Sequence, residues 1–261
     1  MEQKGRAVTR RLGTQQAGRL WDRLTALDFF GQSFQLAALA ILCFFPFLTV
    51  VTAAAGSNTA ELVVGWLGLS PEAARAVGTL FKPGRMSGTL TVTSACLLVL
   101  GAMAVAGTLQ SWYQKVFDVP GRGWRDTPVQ MYWLAALLAY AALQAAVGRG
   151  LGAVSGAVLQ SLAGFVLATF FWWWSMKLLL AGAASWRSLF PAALATAVCW
   201  VGLGVFSAHY FSTSITANEQ TYGPIGVVMV ILSWLVAVGV VVHLGSVVGC
   251  LYRERRSQPT R

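Results

Sequence analysis

Few side chains in this sequence are suited to making or breaking bonds. The histidines are His209 and His243, and the cysteines are Cys43, Cys96, Cys199 and Cys250. A histidine beside a serine could act as a general base, but such pairs normally need a third group to orient the ring. No acid is spaced to do so here, and no Gly-x-Ser-x-Gly occurs. Both histidines fall near the ends of apolar segments and read as polar, interfacial or bundle-facing residues. None of the cysteines has a Cys-x-x-Cys neighbour, which excludes zinc and disulfide frameworks on spacing and leaves small buried apolar residues. Neither a nucleotide-binding P-loop nor a dinucleotide-binding glycine fingerprint is present. A phosphodiesterase would show acid or histidine clusters for metal. The expectation is a protein without cofactor or metal, and not an enzyme.

Binding chemistry is better represented. Lys115, Arg122, Arg125, Lys177 and Arg187 lie near tryptophans, notably Trp172-Trp173-Trp174 and Trp186. Basic pockets between helices hold phosphorylated lipid head groups. The same residues also read as topology charges with an interfacial aromatic belt. Two places break helices. Pro46 interrupts Phe44-Phe45-Pro46-Phe47 and frees a carbonyl that Thr49, Thr52 or water could satisfy. Thr221-Tyr222-Gly223-Pro224-Ile225-Gly226 begins the last apolar segment. There Gly223 and Gly226 permit a sharp turn or close approach, Pro224 suits a first helical turn, and Tyr222 brings a hydroxyl to interface depth. This element reads either as packing or as the outer end of a substrate path.

The elements that must position these residues follow from composition. Of 261 residues, 56% are hydrophobic and 11% charged; mean hydropathy is +0.63. Soluble domains carry about 25% charged residues, so the class is integral membrane. Six windows lack Asp, Glu, Lys and Arg, and each holds one segment of spanning length. The spans are placed near 33–55, 89–110, 129–147, 155–176, 189–210 and 225–249. Runs such as Ala37-Ala38-Leu39-Ala40-Ile41-Leu42 are apolar on every face, which excludes the alternation of a β-barrel. The fold class is therefore all-α: a polytopic membrane bundle of six transmembrane helices with an N-terminal amphipathic helix. Residues 1–32 form a basic tail and that helix, 33–252 the transmembrane domain, and 253–261 a second basic tail.

Orientation follows from basic residues. The tails and the connections after spans two and four hold fifteen of them, against Arg75, Lys82, Arg85 and Arg149 on the other side. Positive charge stays inside, so both termini are expected in the cytoplasm, and the net charge of +10 needs no nucleic acid. The first apolar run starts too far from Met1 for a cleaved signal peptide. Leu20, Leu24 and Leu27 share one helical face, joined by Trp21, and suit either the anionic leaflet or the underside of the bundle. The connection 56–88 should hold a short helix over 73–81, as a lid or a brace. The spans contain no Asp or Glu, which removes the carboxylate relay of proton-coupled pumps. Gly152–Gly156 and Gly245–Gly249 match Gly-x-x-x-Gly, and Ala135, Ala139, Ala142 and Ala146 line one face of span three; both suit close packing.

At these residues the chain resembles the YihY/BrkB family of bacterial inner-membrane proteins, once labelled ribonuclease BN. The resemblance covers most of 20–252. It rests on the apolar run into Phe45-Pro46, on Gln110-Ser111-Trp112-Tyr113 followed by Arg122-Gly123-Trp124-Arg125, on Trp186 and Pro191 at span five continuing to Trp200 and Tyr210, and on Tyr222-Gly223-Pro224-Ile225-Gly226 followed by Trp234. Many members have Gly where this chain has Ala192, and Gly-Ala-Glu where it has Gly245-Ser246-Val247. The resemblance implies a role in envelope integrity and the movement of lipids or envelope components. The leading expectation is a non-ATPase transporter or flippase for an anionic lipid or lipid-linked precursor, with membrane lipids as partners and self-association or other envelope proteins as further ones. A scaffold that binds lipid or protein without moving anything is the alternative.

Overall fold

The computed structural model describes residues 18, 20–55, 88–152 and 157–257. The helix expected over 73–81 and the second glycine of the 152–156 motif lie outside these residues. The described residues form helices and no strands. Helix α1 is Leu20–Ala26, followed by α2 (Phe29–Ala55), α3 (Gly88–Phe117), α4 (Thr127–Gly152), α5 (Ala157–Leu179), α6 (Trp186–Phe206), α7 (Ser212–Tyr222) and α8 (Pro224–Ser257). A 3-10 turn, Gly123–Asp126, leads into α4, and a π turn, Ser207–Phe211, joins α6 to α7.

Four segments are long and apolar enough to cross a membrane: Cys96–Phe117, Ser161–Leu179, Trp186–Tyr222 and Ile225–Glu254. The bent pair α1 and Phe29–Phe44, at 57°, makes a fifth if it counts as one span. Helix α4 has spanning length at 26 residues but is not among them; Gln130, Gln144 and Arg149 dilute its apolar face. Only 33–39% of the residues in the four windows are buried within the protein. Leu100, Leu138, Val166, Val198 and Met229 point outward, as a bundle solvated by lipid requires.

The long helices close into a ring. Helix α2 packs on α3, α3 on α4, α4 on α5, α5 on α6, α6 on α8, and α8 back on α2. The tightest seam is α6 with α8. A Cβ at Gly249 would fall on the backbone of Ala192, and one at Gly245 would lie 2.5 Å from the Cα of Thr196. The Gly-x-x-x-Gly reading at 245–249 thus describes a true backbone approach. The alanine face of span three is different: Ala135 and Ala139 are exposed and look away from the bundle, while the side chains of Ala142 and Ala146 lie outside the described residues.

Several helices run beyond the expected spans, α8 among them, which continues to Ser257. Helix α3 continues to Phe117, and α6 continues through the π turn and α7 as one 37-residue segment. At about 1.5 Å per residue that segment is about 55 Å long, against a hydrocarbon core of about 30 Å. The segment is therefore longer than one crossing needs, and its last part, α7, is polar. Gly223, at φ +62°, turns the chain back, Pro224 opens α8, and Gly226 lies against the carbonyl of Asn218 on α7. The helix-breaking start read from the sequence is present, and it joins two helices rather than a loop and a helix. Helix α2 continues through Pro46 to Ala55; the side chain of Pro46 lies outside the described residues.

Helix α1 settles under the bundle. Leu24 is buried in the main core, Leu20 and Leu27 pack against it, and Arg23 pairs with Glu254 at 3.8 Å. Trp21 does not share the leucine face: it is 60% exposed. The cysteines carry no disulfide; Cys43 and Cys250 are buried, but Cys96 is exposed and Cys199 is intermediate, which corrects the expectation of four buried residues.

Candidate functional site

The end of the bundle where α1 meets the last turns of α8 also carries the C-terminal ends of α3 and α5. It is the basic end of the molecule. A cavity of about 620 Å³ opens there between α2, α3, the 3-10 turn and α4. About half of its wall is polar, from Gln32 and Gln35 on α2, Gln110, Gln114 and Lys115 on α3, Asp126 in the turn and Gln130 on α4. Amides in a membrane bundle need partners, because lipid offers none. Here they support one another. The Gln110 amide donates to the carbonyl of Leu179 at 2.9 Å, satisfying one of the orphan carbonyls that end α5. The Gln130 amide donates to Gln110 Oε1 at 3.0 Å.

Asp126 is held where the chain turns into α4. Helix α3 ends at Asp118, whose φ of +54° breaks the helical path, and the Val119 amide returns to the carbonyl of Gln114 at 2.9 Å. The turn then brings Asp126 back beside α3. Asp126 Oδ2 accepts from Gln114 Nε2 and from the Arg122 backbone N–H, both at 3.1 Å. The residue is only 7% exposed, and Oδ1 has no hydrogen-bond partner.

A second polar cluster sits in the core. His243 is fully buried and lies in mid-α8, not near a span end. Its Nδ1 is 2.9 Å from Ser33 Oγ, and its ring lies 4.2 Å from that of Trp112. Trp112 Nε1 donates to Ser246 Oγ at 2.8 Å, and Ser246 Oγ donates to the His243 carbonyl at 2.7 Å. Ser33 and His243 form the serine–histidine pair that the sequence left open, but the cavity does not reach either residue. Their bond ties α2 to α8.

The expected binding residues divide. Lys115 is exposed and lines the cavity. The Arg122 guanidinium turns away to the carbonyl of Ala181 at 3.3 Å. Lys177 donates to the carbonyls of Gly182 at 2.9 Å and Ala184 at 2.6 Å, and lies over the ring of Trp186. These two cations brace the turn after α5, where Ala181 and Gly182 take positive φ. Arg125 and Arg187 are exposed at the same end. Tyr222 is exposed at the opposite end, about 45 Å away along α8 at about 1.5 Å per residue. Pro191 lies inside α6 against Gly249, and Trp234 donates to Ser207 Oγ at 3.0 Å, anchoring α8 to the π turn. Trp172 belongs to the core, 6% exposed, while Trp173 and Trp174 are half-buried and Trp173 donates to the Trp186 carbonyl.

Sequence reading passed over the glutamines and Asp126. The available signal was spacing: Gln32 with Gln35 and Gln110 with Gln114 put amides one turn apart on otherwise apolar helices. Among the described residues no group of three His, Cys, Asp or Glu is placed to hold a metal. Val247 is buried in the main core.

No curated protein and no solved structure matches the chain. A family model does: the one described as Virulence factor BrkB matches residues 20–261. With its all-α bundle and several spanning helices, this multi-pass membrane protein belongs to the virulence factor BrkB family.

Proposed function

We propose that the protein is a passive transporter or flippase for a lipid, or lipid-linked envelope precursor, with a phosphate head group. The observation that carries this reading is the amide-lined cavity of about 620 Å³ at the basic end of the bundle. Polar side chains are costly in a membrane unless they serve one another or a polar guest. A cavity of this size holds a head group, while the apolar outer faces of the helices suit acyl chains. Lys115 supplies a cation at the mouth, and the exposed Arg125 and Arg187 add positive potential around it.

The wider frame of this reading is six spans in a bacterial inner membrane, with both termini and the cavity on the cytoplasmic side. It follows the basic-residue bias. Labelling from outside of a cysteine introduced at Ser57, and of none placed in the C-terminal tail, is the expected result.

The direct experiment is reconstitution of the pure protein into vesicles with a fluorescent phospholipid, followed by chemical bleaching of the outer leaflet. Bleaching beyond the outer-leaflet fraction supports transport. Bleaching equal to protein-free vesicles favours the second reading, a lipid-binding scaffold, which the tight α6–α8 seam supports.

A further inference from the structure

We infer that the cavity is built for a head group bearing a primary ammonium as well as a phosphate, with Asp126 receiving the ammonium and Lys115 the phosphate. This rests on the reading of the cavity as a head-group site, and it names the class of lipid.

A buried carboxylate demands either a cation or a full set of hydrogen bonds. Asp126 has neither. Its Oδ2 takes two neutral donors, the Gln114 amide and the Arg122 backbone N–H. Its Oδ1 takes none. The nearest cation in sequence, Arg125, is exposed, and the Arg122 guanidinium is committed to the carbonyl of Ala181. Among the described residues Asp126 forms no ion pair; Arg23 pairs with Glu254 instead. The missing partner is therefore a donor, and a charged one satisfies the carboxylate best.

Lys115 makes the complementary case. It is a cavity-lining cation, and no hydrogen bond to another of the described residues ties it down. A bare phosphate would be drawn to Lys115 but repelled by Asp126. A zwitterion that places an ammonium a few bonds from a phosphate meets both. The lining glutamines Gln32, Gln35 and Gln130 can bond the ester oxygens without adding charge.

The test uses purified protein in detergent and four short-chain phospholipids with the same acyl chains and ethanolamine, choline, glycerol or hydrogen on the phosphate. Affinity is read from ligand-dependent thermal stabilisation. The ethanolamine lipid should bind about tenfold tighter than the other three, the scale of one charge-assisted hydrogen bond. The choline lipid should lose because its quaternary nitrogen has no N–H to donate. Asp126→Asn should erase the ethanolamine preference. Lys115→Gln should weaken the ethanolamine and unsubstituted lipids alike. Equal binding of the glycerol or unsubstituted lipid by the wild-type protein overturns the inference, and so does a preference that survives Asp126→Asn. If that variant does not fold, the wild-type series still decides. Head-group preference without movement across vesicles would leave this inference standing and remove transport. Movement without preference would do the reverse.

Discussion

Replacing Gly245 with alanine should drive α6 and α8 apart, and the size of the effect can be worked from the seam itself. The added methyl would lie 2.5 Å from Thr196 Cα, 2.6 Å from its Oγ1 and 2.8 Å from its N. Ordinary contact begins near 3.4 Å, so the helices must separate by about 0.9 Å. Two of those three atoms are backbone, so no rotamer change relieves the clash. Overpacking of this kind costs about 1–3 kcal/mol. The substitution also gains about 1 kcal/mol of helix propensity, which obscures the strain in a single measurement. Gly202 on α6 supplies the control, because a Cβ there meets nothing within 4 Å. Gly202→Ala carries the same propensity gain without the strain. The difference between the two variants is then the strain alone, about 1–3 kcal/mol. At about 2–4 °C per kcal/mol for a domain of this size, thermal unfolding followed by circular dichroism in detergent should separate them clearly. Equal Tm values for Gly245→Ala and Gly202→Ala would refute the close approach of α6 and α8.

Three further outcomes follow from other contacts. Gly223→Ala should cost about 1–2 kcal/mol, because φ is +62° at that turn and an L side chain is disfavoured there; denaturant titration in detergent measures it. Ser33→Ala should leave the buried His243 with no partner on Nδ1 as well as none on Nε2, a loss of about 1–3 kcal/mol, with lipid binding unchanged because Ser33 does not line the cavity. Tyr222→Phe should reduce transport with near-normal thermal stability if the α7–α8 turn forms the outer end of the path; unchanged transport in vesicles would leave Tyr222 as an interface anchor.

The architecture was legible because charge-free windows of spanning length dominate the sequence. The helix start at Pro224 was legible from its helix-breaking residues, whereas α6, expected from 189, begins at Trp186 on a Ser185 cap. The lengths of α3 and α6 were not. Gln110–Lys115 and Ser212–Tyr222 are polar enough to read as connections, yet helix continues through them because neighbouring helices pack against them. Trp112 and Tyr113 fell in the expected connection after span two, but α3 continues through them and the bundle buries both completely. Of the candidate site, the cations were visible as isolated charges. Their division was not, since it depends on the turn after α5 offering carbonyls to Arg122 and Lys177. Asp126 looked like an ordinary loop acid. Its burial arises only because the chain folds back onto α3 at Asp118.

The central claim is that the glutamine-lined cavity carries the head group across. Its most direct test is the vesicle bleaching assay applied to Ser111→Trp, which places an indole at an exposed position on the cavity wall. Leu138→Trp, on the outward face of α4, is the matched control. Cavity-dependent transport predicts that Ser111→Trp slows lipid movement at least about tenfold, a barrier increase of about 1.4 kcal/mol, while Leu138→Trp moves lipid at the wild-type rate. Equal rates in both variants, with both folded and inserted, would contradict it.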